Sequence, residues 1–538
     1  MYHKGQKCSN LSVISECIGE TDAADAYNAT QDDPTTGTFE EAIAATKFGK
    51  FNLILIFVSI PAGWASVAES TTMSYVFPAA QCDLDLSLED KGLLNASIYV
   101  GMVSSGLIWG YLCDVFGRKK LLCIGFFLDA LFVIIGSLSQ SFTVLLVSKF
   151  FGGVIINGPA AAFTAYISEI HSSKYRSIFQ MILGLNISIG TILLPLLAQV
   201  VFPIPIDITI FNSLRIHSWN LYVFITAICP LLAGFVFLFL PESPKFLMAT
   251  GKSIQAIEVF RMVYNMNTGK PEDTFPFKKL VDEMKVNDIY CGNELSHSEL
   301  PKKHNFFDGC TTLGSIFIPP FLQKIILVCV LQMSIGMGLN TLRLWIPQLF
   351  QAITDYEHYN NGTSADLCTM ITVIAPKSNL IVEKCVVNTD NSQVYVNSMI
   401  IAGSSALGYI VAGSLINFLG KKKLLFILIS MQGLSAYSLY FATNTTMTVV
   451  FASINIAVGG ISLMVVISAV VDLFPTTLRT IAVQLTMISS RLGSMGGNLI
   501  FPMLLKTGCA APFGFIGTVL LAGAVIDLFL PNADINVL

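Results

Sequence analysis

Residues 110–120 read GYLCDVFGRKK, and residues 413–423 read GSLINFLGKKK. The two stretches align at a constant offset of 303 residues, with two glycines, a leucine and three basic positions shared. The same offset relates two further pairs of charged residues, Glu169 with Asp472 and Arg176 with Arg479. Agreement of these features in one register indicates that the chain contains a duplicated unit.

The sequence around these stretches is strongly apolar. Of its 538 residues, 53% are hydrophobic and 12% are charged, and the mean hydropathy is +0.67. Soluble domains carry about 25% charged residues, and a soluble protein of this composition would expose large apolar patches. The composition therefore excludes an ordinary soluble enzyme, a disordered protein and a secreted disulfide scaffold, and it predicts a polytopic membrane protein.

Apolar runs of about 20 residues are long enough to cross a bilayer as helices. Six such runs precede a polar middle stretch and six follow it. They cover residues 51–77, 93–115, 121–138, 144–170, 178–201, 221–240, 325–350, 396–419, 424–443, 449–473, 481–505 and 513–530. The predicted fold is an all-α membrane protein with twelve transmembrane helices in two six-helix repeats.

The polar segments complete the predicted organisation. Residues 1–50 form an acidic tail that accounts for the net charge of −4, and 245–320 form a middle loop with one amphipathic helix. The two halves are 51–244 and 321–531, followed by a short tail at 532–538. Basic residues follow spans 2, 4, 8 and 10, so the positive-inside rule places both termini and the middle loop in the cytoplasm.

One long loop, residues 351–395, is predicted to face outward between spans 7 and 8. It contains a glycosylation acceptor at Asn361, which suits an extracellular or lumenal loop. It also contains two cysteines, Cys368 and Cys385. We predict a disulfide between them in an oxidising compartment, and two unpaired thiols are the alternative.

The polar residues show no pattern typical of catalysis or nucleic-acid binding. Outside residues 1–50 the acidic and basic side chains balance, which leaves no basic excess for a nucleic acid. No signal peptide precedes the first span, and no nucleophile–base or metal-ligand spacing occurs on a soluble segment. We therefore expect no enzyme activity, no metal and no cofactor.

The repeated motif resembles the signature of the major facilitator superfamily. The run PESPKFL at residues 241–247 resembles a motif of its sugar-porter and organic-ion branches. Ala68-Glu69 with Pro78, the His217-Ser218-Trp219 run and the outward loop are most similar to the synaptic vesicle glycoprotein 2 group. The resemblance covers about residues 50–530 and implies transport by alternating access of two six-helix halves.

The resemblance also implies a charged gate at the cytoplasmic face, closed when the central cavity faces outward. Its residues in this chain are Gly110, Asp114, Gly117, Arg118, Glu169, Arg176 and Glu242, with Gly413, Asn417, Gly420, Lys421, Asp472 and Arg479 in the second half. Gly110 would allow close helix packing, Gly117 a sharp turn, and Asp114 would cap a facing helix or pair with Arg118. Simple anchoring of the topology is the alternative for the basic residues.

Charges inside the spans are the candidate substrate or coupling residues, because each is costly unless it faces protein or water. They are Glu69, Asp129, Lys149 and Arg491. Glu69 and Lys149 lie at comparable depth and are able to pair. Arg491-Leu492-Gly493 resembles the anion-transporting branch, which implies that Arg491 attracts an anionic group while Glu69 or Asp129 couples protons. Mutual neutralisation inside the bundle is the alternative.

Two tryptophans, Trp64 and Trp345, fall in spans 1 and 7, which line the cavity in the fold that the chain resembles.

The predicted function is transport of a small organic solute, with an organic anion favoured and a proton as candidate coupling ion. We expect a monomer in the lipid bilayer of the plasma membrane or a vesicle. The alternative is a membrane glycoprotein with vestigial transport that acts as a binding or trafficking partner. Ser66, Asn417 and Pro531-Asn532, which depart from the family pattern, motivate it.

Overall fold

The computed structural model describes residues 35–210, 214–280, 314, 316–360, 365–371, 392–474 and 476–531. The described residues contain twelve helical spans, as the sequence predicts. Spans 1 to 6 are Lys50–Ala80, Leu88–Phe116, Arg118–Ser137, Phe142–Ile170, Ser173–Val201, and Ser218–Thr226 continued by Ile228–Phe239. Spans 7 to 12 are Phe321–Tyr359, Ser392–Leu419, Lys421–Tyr440, Thr445–Leu473, Thr476–Thr507 and Ala510–Asp527.

By length and hydropathy alone, nine helices of the described ranges qualify as membrane-crossing, or ten when the bent span 2 counts as one. Span 2 bends by 53° between Gly106 and Ile108. The remaining spans 8 and 11 complete the two sets of six. The predicted fold class, two six-helix repeats, is therefore confirmed.

The elements outside the spans are short. The helices are α1 (Phe39–Ala45), α2 (Pro244–Ala249), α3 (Ser253–Thr268) and α4 (Leu367–Ile371), and a 3-10 turn covers Glu272–Thr274. The strands are β1 (Thr36–Gly37), β2 (Asp207–Ile210), β3 (Leu214–His217) and β4 (Lys279–Leu280). β1 pairs in parallel with β4, and β2 forms an antiparallel hairpin with β3.

Two membrane faces follow from the alternating direction of the spans. We call the face with the turns after spans 2 and 8 the basic face, because Arg118 and Lys421 begin the next spans there. Helices α1, α2 and α3 lie at this face. The β2–β3 hairpin and α4 lie at the opposite face.

Helix caps hold several span ends at the opposite face. Ser87 accepts a hydrogen bond from the Asp90 amide, and the Asp90 carboxylate accepts one in return from the Ser87 amide. Asn444 accepts from the Met447 amide at 2.8 Å at the start of span 10. Such caps satisfy backbone donors that a helix start otherwise leaves unpaired.

Glycines bring the spans of each half into close contact. A Cβ on Gly153 of span 4 would lie 2.2 Å from the Ile98 carbonyl oxygen of span 2. A Cβ on Gly493 of span 11 would lie 2.1 Å from the Met333 carbonyl oxygen of span 7. Any larger residue at these positions would force the helices apart, so the small residues set the packing distance.

The two halves meet at the opposite face. There Glu89 pairs with Lys506, and the rings of Phe202 and Tyr395 lie 6.1 Å apart. Within the part of the chain that the structure describes, the hydrogen bonds, ion pairs and ring contacts at the basic face stay inside one half. The contacts described here between the halves therefore lie at the opposite face.

The segment before span 1 corrects the prediction of a simple polar tail. Phe39 and Ile43 of α1 pack against Phe260 and Tyr264 of α3, the predicted amphipathic helix. The acidic charge of this region obscured a short apolar face at helical spacing. Residues 36–45 are thus part of the folded structure, while residues 1–34 lie outside the described ranges.

Candidate functional site

Three ionisable side chains form a buried cluster inside the first half. Lys149 Nζ of span 4 lies 3.0 Å from Glu69 Oε2 of span 1, and the two side chains are only 3% and 2% exposed. This confirms the pairing expected from their depth. Asp129 of span 3 is fully buried, and both of its carboxylate oxygens lack a hydrogen-bond partner. Its charged neighbours are Glu69 and Lys149.

A glycine makes room for this cluster. A Cβ on Gly152 would lie 2.1 Å from Glu69 Oε1, so no larger residue fits beside the carboxylate. Two carboxylates around one ammonium carry a net charge of −1 when both are ionised. Buried like charges repel strongly, and Lys149 can balance only one of the two carboxylates.

A second site lies where the halves meet. Arg491 of span 11 has Tyr99 of span 2 within electrostatic range. Among the described residues, Arg491 forms no ion pair with a carboxylate, so mutual neutralisation is not observed for it. Leu344 of span 7 packs on Tyr99 beside it, which places this region between the halves.

The sequence reasoning missed two cations in this region. Arg343 of span 7 lies beside Tyr99, and Lys91 of span 2 is 1% exposed. Lys91 Nζ donates to Gln81 Oε1 at 2.8 Å and to Gln348 Oε1 at 3.1 Å, so it joins the halves through neutral amides. Arg343 is a charge inside the predicted span 325–350, so the criterion that selected Arg491 applies to it as well.

The two tryptophans have different surroundings. Trp345 is 1% exposed and packs 5.2 Å from the Phe501 ring, and its place among the candidate substrate residues stays a prediction. Span 7 turns this side chain toward span 11, which the sequence cannot indicate. Trp64 is half-buried and donates its Nε1 hydrogen to the Asn186 carbonyl at 3.1 Å. Its predicted place in the cavity stays a prediction.

At the basic face, the motif of the first half forms a connected ion network. Arg118 pairs with Asp114 at 3.3 Å and with Glu169 at 3.1 Å. Ser243 Oγ donates to Glu169 at 2.5 Å. Glu242 accepts from the Lys119 amide at 2.9 Å and so caps the start of span 3. The network ties the ends of spans 2, 4 and 6 to the start of span 3.

The glycines of this motif play different parts. Gly117 has φ +90°, and a Cβ there would lie 2.6 Å from Glu242 Oε2, so the predicted sharp turn is confirmed. Nothing lies within 4 Å of a Cβ on Gly110. Among the described residues, the close packing predicted for Gly110 is therefore not observed.

Arg176 does not join the network. It pairs with Glu40 of α1 at 2.9 Å and donates to the Ser168 and His171 carbonyls. Burial lowers the pKa of His171 to about 4, so its ring is neutral at pH 7 and does not repel Arg176. Glu40 is thus the partner of a predicted gate residue. The sequence did not single it out, because its position beside Arg176 depends on the fold of α1.

The second half repeats the main ion pair. Lys421 pairs with Asp472, the equivalents of Arg118 and Glu169. Gly420 has φ +75°, like its equivalent Gly117. Lys422 Nζ donates to the Leu528 carbonyl at 2.9 Å and to the Leu530 carbonyl, at the end of span 12.

The remaining predicted gate residues of the second half are less defined. Arg479 of span 11 is half-buried, and its Nε atom has no hydrogen-bond partner. Gly413 and Asn417 belong to span 8, but their side-chain surroundings lie outside the described residues. Their assignment to the gate stays a prediction.

The cysteine pairing predicted for the outward loop is wrong. Cys368 of α4 is bonded to Cys509 at the start of span 12, with their Cα atoms 5.4 Å apart. The prediction considered only cysteines within the loop, whereas the Leu367 amide donates to the Ala442 carbonyl and so holds α4 against the end of span 9. Asn361 and Cys385 lie outside the described residues, and Cys82 is also disulfide-bonded.

Peptide mapping checks this pairing. Non-reducing proteolysis followed by mass spectrometry is expected to yield a cross-linked peptide pair containing Cys368 and Cys509. Cys509→Ser is expected to leave Cys368 open to a membrane-impermeant maleimide, because each sulfur has one partner. Cys229→Ser serves as the control, since Cys229 is a free thiol. A peptide joining Cys368 to another cysteine would contradict the assignment.

Comparisons with known proteins agree with this architecture. The family model described as Major Facilitator Superfamily matches residues 59–385, more than half of the chain. The chain is 25% identical to synaptic vesicle glycoprotein 2B of Rattus norvegicus over 332 residues, 60% of this chain and 48% of that protein. It is 23% identical to svop-1 of Caenorhabditis elegans over 531 residues, 97% of this chain and 89% of that protein.

The chain spans about half the length of the synaptic vesicle glycoproteins that it matches. Among solved structures, the xylose transporter XylE from E. coli, in a partially occluded inward-open conformation, superposes with a TM-score of 0.63 at 15% identity. That superposition covers 90% of this chain and 99% of XylE. With the family model, the repeat and the twelve spans in agreement, the chain belongs to the major facilitator superfamily.

Proposed function

We propose that the protein transports a small organic anion across the membrane by alternating access of its two halves. The observation that carries the proposal is Arg491, a half-buried cation at the meeting of the halves without a carboxylate partner among the described residues. An uncompensated charge at membrane depth is costly unless a ligand or water neutralises it. An anionic substrate supplies that charge where the two halves move against each other.

The basic face is the cytoplasmic face in this proposal. Basic turns between transmembrane helices favour the cytoplasm, and Arg118 and Lys421 begin spans at this face. We infer an inward-facing conformation from the contacts between the halves, which in the described residues lie at the opposite face. The ion pairs of Arg118 and Lys421 hold each half as a rigid unit, and the pair between Glu89 and Lys506 closes the outer side.

The buried cluster of Glu69, Asp129 and Lys149 is the proposed proton site. Loading one proton neutralises the cluster, and releasing it restores a negative charge, so the proton biases which conformation is stable. A protein of the same fold is described as a proton:xylose symporter, which supports a proton as coupling ion here.

Uptake into proteoliposomes tests the transport function and its coupling together. We expect concentrative uptake of an organic anion that rises when the outside is made acidic. Glu69→Gln is expected to abolish the response to the pH gradient, because the substituted amide cannot exchange the proton. Glu258→Gln, an exposed acid of α3 outside the cluster, is expected to retain it.

Two results would oppose this proposal. If Glu69→Gln still responded to the pH gradient, the proton-coupling site would lie outside the cluster. Absence of flux for succinate, butyrate, glucose and tetraethylammonium, with and without a gradient, would refute transport itself. The alternative of a glycoprotein with vestigial transport is not favoured by the family membership, and this flux measurement decides between the two.

A further inference from the structure

Two arginines and a tyrosine converge where the halves meet. Arg343 has the tyrosines of three different spans as electrostatic neighbours, Tyr75 of span 1, Tyr99 of span 2 and Tyr409 of span 8. Arg491 has Tyr99 in range as well. Since spans 1 and 2 belong to the first half and the arginines to the second, Tyr99 lies across the interface from both guanidinium groups.

The packing of spans 7 and 11 fixes the spacing of the arginines. Asn340 Nδ2 donates to Ser494 Oγ at 2.7 Å, which sets residues 340 and 494 level with each other. The two spans run in the same direction, so Arg343 lies about six residues, or ~9 Å, nearer the opposite face than Arg491. Two extended arginine side chains from these levels can therefore hold two separate groups of one small ligand.

The charges of this region are unbalanced. Neither Arg343 nor Arg491 forms an ion pair with any described carboxylate. Arg343 Nε is buried and has no hydrogen-bond partner among the described residues, and the buried Tyr99 hydroxyl lies next to the Arg343 guanidinium. The two buried acids at membrane depth in the first half lie in the other cluster, where Glu69 pairs with Lys149 and Asp129 has both of them as charged neighbours. Charges at membrane depth are costly unless a ligand or water neutralises them, so two half-buried positive charges favour a ligand with two negative ones.

We propose that Arg343, Arg491 and Tyr99 form the binding site for a small organic dianion, such as a four-carbon dicarboxylate with an anionic group at each end. Each guanidinium binds one anionic group through charge-assisted hydrogen bonds. The Tyr99 hydroxyl donates to the ligand from the other half, so the ligand joins both halves. The inference rests on the proposed transport of an organic anion and names its substrate class.

Paired probes of equal chain length test the charge requirement. Purified protein in a chloride-free gluconate buffer is titrated with succinate, butyrate or glucose, and thermal unfolding reports binding. We expect succinate to stabilise the protein at concentrations at least about tenfold lower than butyrate, since the dianion gains a second charge-assisted contact. Glucose is expected to have no effect.

Variants assign the contacts. Arg343→Gln and Arg491→Gln are each expected to raise the succinate requirement at least about tenfold and to remove the preference over butyrate. Arg343→Lys is expected to keep part of the preference, because the charge remains while the bidentate geometry is lost. Arg215→Gln, on the exposed β3 strand, is the matched control and is expected to leave binding unchanged.

The outcomes separate the two proposals. Flux with equal use of succinate and butyrate, or unchanged preference in Arg343→Gln, would overturn the dianion site while transport stands. Stabilisation by succinate that depends on both arginines, without flux of any probe, would support the site and overturn transport. Absence of succinate stabilisation in the unmodified protein would overturn the dianion site.

Discussion

Lys149→Met is expected to lower the stability of the protein by about 3–5 kcal/mol, because it leaves the Glu69 carboxylate buried without its counter-charge. Asp129 lies beside the same site and has no other described partner. The substitution therefore places two unpaired acids inside the first half. Thermal unfolding in detergent, monitored by circular dichroism, measures the loss, and uptake is expected to fall to background.

The matched control is Lys91→Met. Lys91 is equally buried, but its partners are the neutral amides of Gln81 and Gln348. Removing this charge leaves no buried ion behind but does leave the buried Gln348 amide oxygen without its donor, so stability is expected to fall by about 1–3 kcal/mol, less than for Lys149→Met. The double variant Glu69→Gln with Lys149→Met is expected to recover most of the stability without recovering proton coupling. Equal losses for Lys149→Met and Lys91→Met would contradict the role of the ion pair.

Gly117→Ala is expected to cost about 1–3 kcal/mol from the backbone alone, since φ +90° with an extended ψ is a conformation that side chains with a Cβ avoid. The new methyl group would also lie 2.6 Å from Glu242 Oε2. Displacing Glu242 removes the cap from the start of span 3. We expect lower thermal stability and a several-fold loss of uptake.

Gly110→Ala, in the same motif, provides the control. It has open space around the added methyl group in this conformation and replaces glycine within a helix, where alanine is the better helix former. Stability in the described conformation is expected to be unchanged or slightly higher. A loss of uptake at unchanged stability would show that Gly110 packs closely in another conformation. Equal destabilisation by both alanines would contradict the turn argument.

The repeat, the twelve spans and the paired depth of Glu69 and Lys149 were predictable from the sequence. Each depends on a local pattern, namely a fixed offset, an apolar run or a charge at a countable distance from a span end. The sharp turn at Gly117 was predictable for the same reason, because a glycine between two helices favours a turn with positive φ.

What the sequence did not reveal depends on contacts between distant segments. Cys509 lies 141 residues from its partner Cys368, and no local pattern links them. Trp345 and Arg343 are two residues apart on one helix, yet Trp345 is buried against Phe501 while Arg343 has tyrosines of three spans around it. Which side of a wholly apolar helix faces a neighbour is decided by packing, not by the period of its sequence.

The hydrogen bonds of Lys422 bear on how the two halves diverged after duplication. The first half fastens its sixth span with a carboxylate that accepts from the amide of residue 119. The second half fastens its twelfth span with an ammonium that donates to the carbonyls of Leu528 and Leu530. The charged group is the hydrogen-bond acceptor in the first half and the donor in the second, but in both halves it connects the last span to the third. The acid that follows span 6 is missing after span 12. The end of span 12 is nevertheless joined to the start of span 9 through the hydrogen bonds of Lys422.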